Sequence, residues 1–290
     1  MASRVSAVTR MLVVGVCACG DDGGAATKDG AIDDGAPGDA SGGDGAIADA
    51  TLSLCERSGL LFCEDFEALP IGPANNATSD AWDTESANGQ LSIDTTHARG
   101  QRALKLAVNG NGRARLTVSG LAPVDNSLFG VAHVWVTAFP TAPDYAHYTM
   151  VEFAGQGGGT LLRPIGGQYA PAGGGSQPAG SFWGVGSDGG PTGDWTNWRR
   201  TAPSVGGQWS CMEWRMSAAN GEIDVWIDGV AKPELGVTKT MHGGTQVDFV
   251  FPAIDRAWFG WWLYQANPTP SSYEVWLDDL ALASERLGCD

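Results

Sequence analysis

The chain has 290 residues, with 42 Gly, 12 Trp and a formal net charge of -16. That length suits one large core or two small ones, and so much Gly and Trp favours many short strands and turns over long helices. Eight of the acidic and three of the basic residues precede Ser53, leaving 25 against 14, so the body of the chain is still acidic and a non-specific nucleic-acid or anionic-lipid binder is excluded.

The chain opens "MASRVSAVTRMLVVGVCACGDD", with Arg4 and Arg10 ahead of a short apolar run from Met11 to Val16. Such a run is too short to span a bilayer and reads as an export signal. Val16, Cys17, Ala18 and Cys19 resemble a bacterial lipobox, in which the last Cys is lipidated and becomes the mature N-terminus. Cys19 is the expected lipidation site, and Cys17 the weaker one, because Val16 would be bulky at the cleavage position. A lipoprotein-type signal peptide is therefore expected over 1–19, with the protein lipid-anchored to the cell envelope or, if the signal is an ordinary secretory one, secreted.

Residues 20–52 are almost only Gly, Ala and Asp, with Lys28 as the one basic residue and no aromatic. Too little apolar area is present to offset chain entropy, so a disordered, self-repelling tether is expected. The Asp spacing is irregular and lacks a calcium-binding nonapeptide repeat.

Residues 53–290 read as one domain holding Cys55, Cys63, Cys211 and Cys289. Four cysteines in an exported chain allow three pairings. Cys55 with Cys63, close in sequence, and Cys211 with Cys289, pinning the C-terminus to an inner strand, is the favoured one. No Cys/His spacing suits zinc.

Alternating segments follow at 130–139, 147–154, 221–230, 257–265 and 273–282, separated by Gly, Pro, Asn and Asp. They predict an all-β, antiparallel two-sheet jelly-roll sandwich. In "EIDVWIDGV", Ile223, Val225 and Ile227 form a buried face, and Asp228-Gly229 supplies a hairpin turn. In "AWFGWWLYQ", alternation sends Phe259, Trp261 and Leu263 to one face and Trp258, Trp262 and Tyr264 to the other.

The stretches "FCEDFEALPIG", "SIDTTHARGQRALKL", "TLLRPIGGQYA", "WSCMEWRMSAANGEIDVWIDG" and "FGWWLYQ…VWLDDLALASERLGCD" together resemble the core domain of the fungal cellulose-induced protein family called Cip-one. The resemblance covers most of residues 60–290 and implies a concanavalin-like jelly roll related to polysaccharide lyases, directed at carbohydrate, with a structural calcium. The residues argue for the calcium too: if the first and last strands pair, Glu67 meets Asp278 and Asp279, and carboxylates that close call for a cation. By resemblance the loop at Arg99 and Arg102 adds oxygens, here only from backbone carbonyls.

For catalysis, the resemblance places Arg163 and Gln168 in the groove, with His147 and Tyr264 as base and acid of a β-elimination. A His expected two residues before the Arg is Leu161 here, and Pro164 is an extra residue that predicts a bulge or a face change. The aromatic face needs no catalysis: Trp258, Trp262 and Tyr264 form a platform for a sugar chain on a concave sheet, and Trp195, Trp198 and Arg199, from a Gly-rich loop, wall it. The leading expectation is thus a monomeric glycan-binding protein, touching membrane only through its lipid and taking a polysaccharide or oligosaccharide; the alternative is a polyuronate lyase.

Overall fold

The computed structural model describes residues 53–156, 159–240 and 250–289. The expected signal peptide, Cys19 and the tether over 20–52 lie outside the described residues.

A long hairpin organises the domain. Strands β3 (Asp83–Asp94) and β4 (Ala103–Ser119) pair from end to end apart from one register shift between Ala87 and Gly89. On its other edge β4 changes partner midway: residues 104–109 pair with β14 (Ser272–Ala283) and residues 112–119 with β13 (Ile254–Leu263). From β14 the sheet continues through β5 (Ser127–Val136), β10 (Trp209–Ser217), β11 (Glu222–Ile227) and β12 (Val230–Ala231). From β13 it continues through β6 (His147–Gly155), β7 (Leu161–Ala170), β8 (Gly180–Asp188) and β9 (Trp195–Pro203). Two short strands complete it, β1 (Leu60–Glu64) on β14 and β2 (Gly72–Pro73) on β3. Every pairing is antiparallel, and the continuous sheet curls on itself into the expected jelly-roll-like sandwich.

Alternation explains which face each strand buries. In β4, Leu104, Leu106 and Val108 are in the core, while Lys105 between them reaches out to Glu274. In β11, Ile223, Val225 and Ile227 are buried as the pattern predicts. Asp228 and Gly229 both take positive φ, 52° and 75°, which is the turn that a two-residue hairpin with right-handed strand twist requires. Aromatic rings join the layers: Trp261 of β13 stacks on Tyr273 of β14 at 5.1 Å, and Trp214 of β10 lies 6.3 Å from Phe259 of β13. Fully burying one large apolar side chain contributes about 1.5–3 kcal/mol, so each of these rings adds to the cohesion that the aliphatic core residues supply. Trp214 fits only because Gly130 faces it; a Cβ there would fall 2.1 Å from the indole.

Both disulfides form as favoured, Cys55 with Cys63 and Cys211 with Cys289. The second ties the C-terminal segment across the outer face of β10, over Val131 and Ala281.

Candidate functional site

Strand β13 splits its aromatics as predicted. Phe259, Trp261 and Leu263 are buried in the core, whereas Trp258, Trp262 and Tyr264 are half-buried on the outer face. Tyr264 stands just past the end of the strand. Between them Gly260 has φ +155°, and a Cβ there would meet the Ala114 carbonyl oxygen at 2.3 Å; bulk at that position would push β4 and β13 apart.

Below these rings runs a ladder of charges that sequence reasoning did not identify. Glu85 of β3 bonds both Arg113 and Arg115 of β4 at 2.6 and 3.0 Å. Arg115 also reaches Glu152 of β6 at 3.1 Å, and Glu152 in turn holds Arg163 of β7 at 3.0 Å. Arg163 finishes the ladder on Asp188 of β8 at 3.1 Å. The buried guanidiniums face the rings: Arg115 lies 4.8 Å from Trp258 and 5.0 Å from Trp262, Arg163 lies 5.7 Å from Trp262 and 5.4 Å from Tyr264. A cation against an aromatic face is attracted by the ring quadrupole, so the ladder fixes the ring planes while its own charges are matched.

Register then shows what lies beside the rings. Across five strand pairings, Arg113 faces Trp262, Trp262 faces Thr149, Thr149 faces Gly166, Gly166 faces Gly184, and Gly184 faces Trp198. Trp262 and Trp198 are thus four strands apart, roughly 19 Å at about 4.8 Å per strand, and Thr149, Gly166 and Gly184 between them carry little or no side chain. The result is a trough transverse to the strands, with an indole at each end. Trp198 stacks on Phe182 at 5.8 Å and is covered by Arg200 at 5.5 Å.

The four residues predicted for catalysis do come together. His147 and Gln168 are directly opposite on β6 and β7, His147 stacks on Tyr264 at 5.8 Å with the rings parallel to 1°, and Arg163 lies against Tyr264. Burial lowers the His147 pKa, opposed by a hydrogen bond with Gln168. Burial raises that of Tyr264, opposed by the Arg163 charge. At neutral pH the site therefore presents a neutral imidazole and a protonated phenol. Both groups are already engaged, however: the Gln265 amide lies 3.1 Å from His147 Nδ1, its oxygen accepts the His147 backbone N–H, and the Tyr264 phenol hydrogen-bonds Thr149. Arg163 is likewise spent on Glu152 and Asp188. The crevice among His147, Thr149, Arg163 and Tyr264, which takes in Gly166 and Gly184 as well, has a volume of only about 10 Å³, room for one water, so a sugar chain would lie over this floor against the flanking rings and not sink between these four side chains. Pro164 produces the predicted bulge, with pairing to β8 shifted between Arg163 and Gly166.

Two expectations about the wall are corrected. Residues 195–200 belong to strand β9 and not to a loop. Being three apart on a strand, Trp195 and Trp198 point to opposite sides, so Trp195 packs against the core and only Trp198 is on the trough side. Arg199 is at the surface, donating to the Trp198 carbonyl at 2.7 Å.

The residues proposed for calcium also meet, where β1 ends beside β14. Asp278 is 1 % exposed, and its oxygens accept the backbone N–H groups of Arg99 and Asp279 at 2.7 and 2.9 Å. Glu67 Oε1 accepts those of Gln101 and Arg102 at 2.8 and 3.2 Å. Arg99 Nε bonds Asp279 at 2.8 Å, and Arg102 Nη1 bonds the carbonyls of Glu67 and Leu69 at 2.8 and 2.6 Å. Calcium needs about six to eight oxygens at roughly 2.3–2.6 Å. Here N–H donors face the carboxylates instead, and in this arrangement the residues do not fit that ion. Among the described residues a Cys211, Glu213 and Cys289 group is also close enough for a metal, but both sulfurs are in a disulfide and Glu213 is held by Arg286 at 2.7 Å.

No protein-family profile and no curated protein sequence matches the chain. Among solved structures it is similar to "Cellulose induced protein, Cip1", at 23% identity and a TM-score of 0.55, over 79% of this chain and 100% of that one. A botulinum neurotoxin DC binding domain in complex with SialylT aligns at 11% identity and a TM-score of 0.44, over 76% of this chain and 48% of that one. The first likeness establishes the shared fold; the second is too loose to carry an argument.

Proposed function

We propose that the chain is an exported glycan-binding protein whose ligand lies across the strands of the β13 layer, between Trp262 and Trp198. The observation that carries this is the trough itself: an indole at each end, a floor of Thr149, Gly166 and Gly184, and Trp258 and Tyr264 alongside Trp262. Aromatic rings offer a pyranose an apolar face together with polar edges, and a floor without side chains lets a polymer lie close to the backbone. Because each guanidinium of the ladder already has a carboxylate partner, the trough suits a neutral polymer better than a polyuronate. The structural relative is by name a cellulose-induced protein, so cellulose-type glucans are the first neutral polymers to try.

The two disulfides fit an oxidising compartment, and we include in the proposal the export signal over 1–19 with lipid attachment at Cys19; mass spectrometry of the mature N-terminus tests it. The convergence of Arg163, Gln168, His147 and Tyr264 supports a second reading, β-elimination of a polyuronate. That reading needs Arg163 to leave Asp188 and His147 to leave Gln265. Affinity electrophoresis of the purified chain through neutral glucans, glucuronan, alginate and pectate decides between them when combined with an ultraviolet assay for unsaturated product. Retardation by a neutral glucan without product supports binding. Product from a polyuronate, lost in Tyr264→Phe, supports the lyase, and neither retardation nor product refutes both.

A further inference from the structure

We propose that Arg99 is the resident cation of the seam between β1 and β14, so that the domain closes this seam without a divalent ion. The proposal is independent of the glycan reading. Three carboxylates meet at the seam, Glu67, Asp278 and Asp279, and two guanidiniums face them, Arg99 and Arg102. Asp65 lines the same pocket beside Glu67, Arg99 and Asp279, so the carboxylates outnumber the guanidiniums. A dication bridging Asp278 and Asp279 would have to displace Arg99, whose guanidinium already sits on Asp279; with Arg99 absent, those carboxylates would be left to a dication. Hard cations are favoured where carboxylates are otherwise uncompensated, and here Arg99 provides the compensation through two bonds at once, its backbone N–H to Asp278 and its Nε to Asp279.

The loop carrying Arg99 is held from other directions as well. His97 stacks on Trp135 at 4.2 Å and meets Trp276 edge-on at 4.5 Å, while Trp276 Nε1 donates to Asp94 at 2.9 Å. Gly100 lets the loop close on Glu67, since a Cβ there would lie 2.1 Å from Glu67 Oε1. An ion is therefore not required to give the loop its shape; only the charge needs an answer, and Arg99 supplies it.

The test is thermal unfolding of the whole chain in EGTA and in calcium chloride, with calcium titration calorimetry on the same samples. The wild type is expected to melt at one temperature in both media and to show no calcium heat. Arg99→Asn is expected to melt lower in EGTA and to recover on adding calcium, since a ligand that binds only the folded state raises its stability. Arg99→Lys keeps the charge and is expected to remain insensitive to calcium, which keeps the proposal testable if Arg99→Asn does not fold. A wild-type melting temperature that falls in EGTA, calcium heat on the wild type, an Arg99→Asn variant as stable as the wild type in EGTA, or an Arg99→Lys variant that needs calcium would each overturn it.

Discussion

Two regions of this molecule solve the same problem, acidic groups placed close together, in opposite ways. On the β13 layer the carboxylates Glu85, Glu152 and Asp188 alternate with Arg113, Arg115 and Arg163, and the rings of Trp258, Trp262 and Tyr264 cover the guanidiniums. At the β1/β14 seam the carboxylates are met mainly by backbone N–H groups of one loop, with Arg99 closing the set from the rim. The first arrangement builds a rigid, charge-matched surface that leaves apolar rings open to solvent. The second joins chain segments far apart in sequence, beside a pocket of about 340 Å³ lined by Glu67, Arg99 and Asp279, and acts as a structural clasp.

The comparison breaks most sharply at Glu152, which is 1 % exposed and shared by Arg115 and Arg163. Glu152→Ala leaves two buried guanidiniums short of a partner and is expected to cost about 3–5 kcal/mol, read from the urea midpoint. Trp262→Ala should leave the fold nearly intact and weaken glycan binding roughly thirtyfold, equivalent to about 2 kcal/mol for a central aromatic contact; calorimetry and the urea midpoint together separate the two effects.

The seam is sharpened by pH. Burial pushes His133 down from 6.5 to about 4, and Asp278 is pushed up from 3.8 to about 7. Between those limits native Asp278 keeps a proton that the unfolded chain has released, so its contribution to stability falls as pH rises. Native His133 lacks a proton that the unfolded chain takes up below 6.5, so its contribution falls as pH drops. The two slopes oppose each other, and the wild type should be nearly flat from about pH 4 to 7. His133→Gln removes one of them, leaving stability that falls with rising pH by up to about 1.4 kcal/mol per unit; urea midpoints at three pH values check this. At the small end, Arg199→Ala should change stability by less than about 0.5 kcal/mol and binding by less than about twofold, a difference too small to resolve against the Trp262→Ala result.

Much of this was legible before any coordinates. Alternation alone sorted the aromatics of β13, and the Asp228-Gly229 turn followed from a local signal; both disulfides match the favoured pairing, and the first and last strands do pair, as the calcium argument supposed. The ladder was not legible, because Glu85, Arg115, Glu152 and Arg163 sit on four different strands and become neighbours only through register. The Gly166 and Gly184 floor was hidden for a related reason: β7 and β8 are Gly-rich and buried along most of their length, so no period of two marks them. Trp195 could have been placed correctly, since on a strand a separation of three puts Trp195 and Trp198 on opposite faces. At Arg99 and Arg102 the sequence shows which residues form the loop but not whether its N–H groups or its carbonyls turn inward, and that orientation decides between a guanidinium and a metal ion.

The trough is tested most directly by calorimetry with oligosaccharides of increasing length, cut from whichever neutral glucan retards the chain, against wild type and Trp198→Ala. Affinity should climb until the ligand spans from Trp262 to Trp198, roughly four strand spacings of about 4.8 Å, then level off, and the later part of the climb should be missing in Trp198→Ala. Affinity independent of length, or unchanged by Trp198→Ala, would contradict a ligand lying across the strands.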